Sequence, residues 1–218
     1  MSGGAGAKSL ERTAAEEAVV ARLQGSGVVA ILRAKSEERA ATLGGALVGA
    51  GCGVLEVSFN TPEAASVIER LSAAHPQTVV GAGTVLSPAE AERAVRAGAR
   101  FLLSPVFDPA VDAAARDLDC LYVPGVFTAG EVWAALKAGR RLLKLFPASV
   151  LGVGGMHALL EPFASLGPVE ALPTGGLGIA DVASWRGAGA VAVGLGGALG
   201  RAADPAEAMR EALARARV

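Results

Sequence analysis

Two charged residues stand where only apolar ones belong. Leu142-Leu-Lys-Leu-Phe146 sets Lys144 inside a wholly apolar run, and Val54-Leu-Glu-Val-Ser58 does the same for Glu56. An amine held in an apolar cavity is desolvated in its charged form. Its pKa falls, and the freed lone pair can attack a carbonyl carbon. A neighbouring carboxylate can carry the protons that carbinolamine formation and carbon–carbon cleavage require. The competing account is a buried structural Lys–Glu pair, an arrangement that seldom adds net stability. The lysine inventory favours chemistry. Of four lysines, Lys8, Lys35, Lys137 and Lys144, only the last falls within a strand-like run.

Whether the two residues meet depends on the elements that carry them. One pattern recurs along the chain: a helical stretch, a glycine, then four to six apolar residues. It stands at Ala50-Gly-Cys-Gly-Val-Leu-Glu-Val57, Ala97-Gly-Ala-Arg-Phe-Leu-Leu-Ser104, Ala138-Gly-Arg-Arg-Leu-Leu-Lys-Leu145 and Ala188-Gly-Ala-Val-Ala-Val193. Glycine just past a helix end closes it in the left-handed conformation, and the apolar run that follows reads as a buried parallel strand. Eight strands are predicted, at 28–33, 54–58, 78–83, 101–104, 121–123, 142–146, 169–172 and 190–194, with helices between them, for example at 63–74, 88–97, 129–138 and 205–217. Eight βα units point to an α/β fold, a (β/α)₈ TIM barrel. An extra N-terminal helix is expected to begin near Ser9, whose hydroxyl would cap it. Residues 1–8 read as a flexible tail and 9–218 as one barrel domain. An open doubly wound sheet is the structural competitor, but no Gly-x-Gly-x-x-Gly turn follows the first strand.

In a barrel, alternate strand residues point inward and active sites collect at the C-terminal strand ends. That parity sends Lys144 inward with Leu142 and Phe146, and Glu56 inward with Val54 and Ser58. Strands two and six lie opposite each other in an eight-strand ring, so the two side chains are expected near the axis. Gly81 and Gly83 read either as points of close backbone approach or as ordinary strand-to-loop turns.

Composition narrows the alternatives. The 218 residues carry 20 basic and 21 acidic side chains, a net charge of −1 with no basic block, which argues against nucleic acid and anionic membrane surfaces as partners. The chain is 52% hydrophobic, yet no apolar run approaches the roughly 20 residues of a membrane span. The N-terminus lacks the apolar core of a signal peptide. Cys52 and Cys120 both border strand-like runs, so unpaired cysteines and a reducing cytoplasm are expected. The only histidines, His75 and His157, form no ligand cluster, and no metal or other cofactor is expected. Ser58 and Ser104 have no histidine partner for a serine-nucleophile mechanism. Trp133 and Trp185, on predicted helices, read as packing or interface residues.

Eight short motifs follow one another at predicted strand ends: Val28-Val-Ala-Ile-Leu-Arg33, Leu55-Glu-Val-Ser58, Gly81-Ala-Gly-Thr-Val85, Ser104-Pro105, Pro124-Gly-Val126, Leu143-Lys-Leu-Phe-Pro147, Pro173-Thr-Gly-Gly176 and Val193-Gly-Leu-Gly196. In this order the chain resembles the 2-keto-3-deoxy-6-phosphogluconate/4-hydroxy-2-oxoglutarate aldolase family over residues 28–199. The resemblance implies a class I aldolase with Lys144 as Schiff-base nucleophile and Glu56 as proton shuttle, working without a metal. It places Arg33 and Thr84 at the pyruvyl carboxylate or lower hydroxyls, Pro105 and Phe146 along the walls, and Thr174 on the rim. Gly175, Gly176, Gly196 and Gly197 fall at the phosphate end, in the loops after strands seven and eight.

The implied substrate is 2-keto-3-deoxy-6-phosphogluconate or its galactonate epimer, giving pyruvate and glyceraldehyde 3-phosphate. 4-Hydroxy-2-oxoglutarate, giving pyruvate and glyoxylate, is the alternative, and a phosphosugar isomerase or synthase barrel with the same phosphate loops is a more distant one. The family also implies a homotrimer. The chain departs from the family pattern at three points. Asn60 stands where many members carry arginine, Gly197 where serine is usual, and His157 where lysine is common.

Overall fold

The computed structural model describes residues 11–217. The proposed tail, 1–8, and the expected cap Ser9 lie outside the described residues. The first helix, α1 (Ala14–Ser26), begins later than the sequence suggested. Its cap is Thr13, whose hydroxyl accepts from the Glu16 N–H while the Glu16 carboxylate accepts from the Thr13 N–H. This reciprocal capping box satisfies two otherwise orphaned donors and sets the start of the helix.

Strands and helices then alternate as β1 (Val28–Leu32), α2 (Glu37–Gly49), β2 (Val54–Ser58), α3 (Ala64–Ala74), β3 (Val79–Gly83), α4 (Pro88–Arg96), β4 (Phe101–Leu103) and α5 (Pro109–Asp117). The second half runs β5 (Leu121–Val123), β6 (Gly125–Val126), α6 (Ala129–Lys137), β7 (Leu142–Leu145), α7 (Ala148–Leu160), β8 (Glu170–Pro173), α8 (Val182–Gly187), β9 (Val193–Leu195), α9 (Gly197–Gly200) and α10 (Pro205–Ala216). Ser87, Asp108 and Asp204 cap α4, α5 and α10, each followed by a proline in the first turn, where a missing N–H costs nothing. The recurrent glycines 51, 98, 139 and 189 all have positive φ. Beyond each one, the next N–H reaches back to the helix, as in Cys52 to Leu47 at 3.0 Å and Ala190 to Trp185 at 3.1 Å. These are the Schellman closures that the repeated motif encodes.

All strands pair in parallel. One ladder runs β5-β4-β3-β2-β1-β9 and a second runs β6-β7-β8. The Thr174–Gly194 bridge and the Val191 N–H to Ala171 carbonyl bond, at 2.9 Å, join β8 to β9. At the other seam the chain itself passes from β5 to β6 through Pro124, which has no N–H to donate to a ladder. The result is a ring of eight stations, with β5 and β6 sharing the fifth. The last strand starts at Val193, where pairing with β1 begins, and not at residue 190 as expected. The Ala190 N–H is already committed to closing α8.

Two apolar clusters show which way the strands face. Val29, Val54, Phe101, Leu103, Leu121, Val123, Leu142 and Leu172 fill the interior together with Val19, Val20 and Leu23 of α1. The helix therefore plugs one end of the barrel with three buried side chains. Leu55, Val57, Leu143 and Leu145 belong instead to the layer between strands and outer helices. Trp185 is part of that layer, whereas Trp133 is exposed and stacks on Phe163 with ring centroids 6.4 Å apart.

The plug is tied down by a buried charge network. Arg140 donates to Glu16 of α1 at 3.0 Å and to Asp112 of α5 at 2.5 Å. Removing one partner of a buried, hydrogen-bonded charge leaves the other uncompensated. Glu16→Ala should lower unfolding free energy by about 1–3 kcal/mol in urea titrations. Glu17→Ala, an exposed neighbour whose one ion pair among the described residues is with Arg12 at 3.7 Å, should change it by less than about 1 kcal/mol.

Candidate active site

The face assignment of β2 and β7 puts Glu56 and Lys144 in the barrel interior, on stations two and six of the ring. Both are nearly sealed from solvent, with relative exposures of 1% and 4%. No direct ion pair joins them among the described residues, yet each feels the other's charge. Burial pushes the Lys144 pKa down; Glu56 opposes that shift and Arg33 adds to it. Burial pushes the Glu56 carboxyl up, against the pull of Lys144 and Arg33. The Glu56 Oε2 atom has no hydrogen-bond partner. A structural ion pair would close this contact and saturate the carboxylate. Here the amine makes no ion pair among the described residues, lying over the Phe146 ring, and the carboxylate has an open acceptor.

The local sequence explains how Glu56 is accommodated. A Cβ at Gly83, two residues beyond the register partner of Glu56 on β3, would overlap the Glu56 carboxylate, and one at Gly81, that partner, would overlap the Phe101 ring. Both glycines of the Gly-Ala-Gly stretch thus leave room that a side chain would occupy. The stretch clears volume for two neighbouring side chains.

Arg33 follows β1 and is fixed by a residue that the sequence reading passed over. Thr61, 3% exposed, accepts from the Ala34 N–H at 3.3 Å and donates to the Leu32 carbonyl at 3.4 Å. Its hydroxyl therefore brackets Arg33 on both sides. A threonine one residue before Pro62 carries no motif of its own, and only the fold shows its reach to β1.

Thr84 sits just beyond β3 at φ 59°, a conformation that branched side chains avoid. Its hydroxyl lies 3.1 Å from that of Ser58 on β2. Such backbone strain, of order 1–3 kcal/mol, persists where the surroundings enforce it, often at functional sites.

The remaining predicted residues sit just beyond the C-terminal ends of their strands. The Pro105 backbone packs where a Gly125 side chain would be. Phe146 is 36% exposed, its ring 5.1 Å from the Lys144 Nζ and stacked over Gly175. Thr174 is buried; its hydroxyl donates to the Leu172 carbonyl at 3.3 Å, and its side chain fills the space above Gly194. Gly175 and Gly176 take φ of 95° and 76°, open only to glycine in practice. Gly196 and Gly197 form the adjoining loop after β9, with Gly196 near Ile31 of β1.

His157 is elsewhere. It lines a cavity of about 600 Å³ with Gly167, Pro168 and Gly189, on the segments that enter β8 and β9. Helix α7 carries position 157 away from the mouth. No group of three or more potential metal ligands occurs among the described residues, and none of their helices is long and apolar enough to cross a membrane.

A closed parallel barrel with a sealed lysine and carboxylate at one mouth can be compared with known proteins. Residues 19–210 match the family described as KDPG and KHG aldolase. The chain belongs to this aldolase family. It is accordingly a carbon–carbon lyase.

The chain is 37% identical over 173 residues to the "Probable 2-dehydro-3-deoxy-6-phosphogalactonate aldolase" of Rhizobium meliloti, covering 79% of this chain and 81% of that protein. It is 34% identical over 155 residues to the KHG/KDPG aldolase of Escherichia coli K12, 71% of each. Among solved structures, the KDPG aldolase of Legionella pneumophila superposes with a TM-score of 0.76 at 28% identity, covering 90% of this chain and 95% of that one. That enzyme was captured with pyruvate as a covalent carbinolamine.

The pKa directions carry a stability consequence. Glu56 has a raised folded pKa, so its charge destabilises the fold. The penalty is absent below the unfolded value of 4.5 and fully present once pH exceeds the folded value. Glu56→Gln should therefore raise unfolding free energy by on the order of 1–2 kcal/mol at pH 8. The gain should shrink toward zero near pH 4. Urea titrations at the two pH values check both the sign and the trend.

Proposed function

We propose that the chain cleaves 2-keto-3-deoxy-6-phosphogluconate or its galactonate epimer through a Schiff base on Lys144. The observation that carries this reading is a buried amine with no ion pair among the described residues, within reach of the charge of a buried carboxylate whose Oε2 has no partner. Neutral Lys144 attacks the C2 keto carbon to give a carbinolamine, which loses water to form an iminium. Glu56 takes the proton of the C4 hydroxyl, the C3–C4 bond breaks, and the electron pair passes into the iminium as an enamine. Glyceraldehyde 3-phosphate departs. Protonation of the enamine at C3 and hydrolysis of the imine release pyruvate and restore the lysine. The iminium is the electron sink, the role that a metal Lewis acid fills in other aldolases.

The remaining roles follow from position. Arg33, held by Thr61, offers a planar fork to the pyruvyl carboxylate. Thr84 supplies a hydroxyl beside it, Pro105 and Phe146 wall the keto-acid end, and Thr174 supports the rim. Gly175, Gly176, Gly196 and Gly197 bring backbone close to the phosphate. 4-Hydroxy-2-oxoglutarate would follow the same steps to pyruvate and glyoxylate, a second reading favoured by the double name of the Escherichia coli relative. Asn60, exposed just after β2, bears on the choice between C4 epimers.

We also propose a homotrimer in a reducing cytoplasm. Self-association is supported by the exposed apolar side chains Trp133 and Leu166, and the compartment by two buried free cysteines.

Incubation with pyruvate and borohydride, followed by peptide mapping, tests the nucleophile. The expected result is a reduced adduct on Lys144 alone; labelling elsewhere, or none, would overturn the assignment. Glu56→Gln should still form that adduct but turn over about 100-fold or more slowly, in line with the usual worth of a general base.

A further inference from the structure

Ser58 ends β2, two positions beyond Glu56 on the same inward face of the strand. It is 0% exposed and stands opposite Gly83 in the β2–β3 register. The Phe59 N–H donates to the Gly83 carbonyl at 2.8 Å, so the ends of the two strands are locked together. Thr84 follows at once, half-buried and at φ 59°. Its hydroxyl lies 3.1 Å from that of Ser58.

Neither hydroxyl has another partner among the described residues. Each carries a single proton, so within the pair one oxygen donates and the other accepts. The buried member decides the direction. A Ser58 proton aimed anywhere else would be sealed in without an acceptor, which costs more than an ordinary hydrogen bond gains. Thr84 is partly open and has no such constraint. Ser58 therefore donates to Thr84 Oγ1, and the Thr84 proton is left for a group at the end of the strands. The backbone points the same way. A side chain branched at Cβ is a costly choice at this φ, and what it adds over the glycine that would relieve the strain is this hydroxyl.

We infer that Ser58 is a positioning residue, which fixes the Thr84 hydroxyl as a donor to a carboxylate oxygen of the bound keto acid. The inference rests on the aldolase reading and deepens it. The carboxylate next to the carbon that Lys144 attacks only accepts hydrogen bonds, and a bond to such a charged oxygen is roughly twice as strong as a neutral one. Without Ser58 the Thr84 hydroxyl can rotate about its C–O bond and loses part of that bond. Ser58 itself stays behind Thr84, closed off from solvent.

The test follows the exchange of pyruvate methyl protons for solvent deuterium by NMR. This assay needs only pyruvate and the iminium–enamine step on Lys144. It is run on the parent chain, Ser58→Ala, Ser58→Thr, Thr84→Val and the double variant Ser58→Ala with Thr84→Val. Thr84→Val removes the donor with little change of shape and should raise the KM for pyruvate about 10-fold or more. Ser58→Ala should raise it about 3- to 10-fold with kcat within about 2-fold, and Ser58→Thr, which keeps the hydroxyl, should stay within about 2-fold of the parent. The double variant should match Thr84→Val alone, because a residue that acts only through Thr84 has nothing left to position. A general loss of packing would instead add in both backgrounds.

An unchanged KM in Ser58→Ala or in Thr84→Val would overturn the inference. So would a Ser58→Ala effect of equal size with and without the Thr84 hydroxyl. Either result leaves the aldolase reading intact while borohydride still traps pyruvate on Lys144. A parent that shows neither exchange nor that adduct would overturn both.

Discussion

An ammonium group on the axis of a closed barrel has lost its water and must be compensated or discharged. In this chain the alternation of β7 dictates the position: Leu143 and Leu145 pack on helices, so Lys144 points inward. The carboxylate of Glu56 arrives by the same rule from the opposite side of the ring. The two do not close into an ion pair, and Arg33 adds a second positive charge nearby. Desolvation and the guanidinium therefore outweigh the attraction of Glu56, and the amine is driven toward its neutral, nucleophilic form.

Much of the surrounding structure protects this imbalance. The α1 plug, anchored through Arg140 to Glu16 and Asp112, closes the far end of the barrel and keeps the interior apolar. Gly83 removes the side chain that would displace Glu56, and Gly81 lets Phe101 fill the space below. Thr61 fixes the backbone around Arg33. At the rim, Thr84 and the glycine loops hold left-handed conformations above a well-packed interior. The site is destabilising in itself, and the capped helices and the barrel core offset its cost.

The fold was largely legible because it repeats. Four helix-closing glycines followed by apolar runs mark the βα units, and the Schellman bonds found there are the physical content of that repeat. Lys144 and Glu56 were legible for a related reason: strand parity in a barrel has only two values. Other features were hidden. The start of α1 depends on a reciprocal Thr13–Glu16 cap that competes with Ser9 as a sequence signal. The onset of β9 depends on the Ala190 N–H being taken by α8. Thr61 acts across the fold on residues far away in sequence, so no local pattern reveals it.

The central claim is that burial and Arg33 lower the Lys144 pKa, and that Glu56 holds it back from further depression. Competitive labelling with acetic anhydride over a range of pH, quantified on the Lys144 peptide by mass spectrometry, measures its titration directly. The account predicts a midpoint below the ordinary lysine value of 10.5, moving lower still in Glu56→Gln because the carboxylate raises it. A midpoint at the ordinary value, or an upward move in Glu56→Gln, would contradict it.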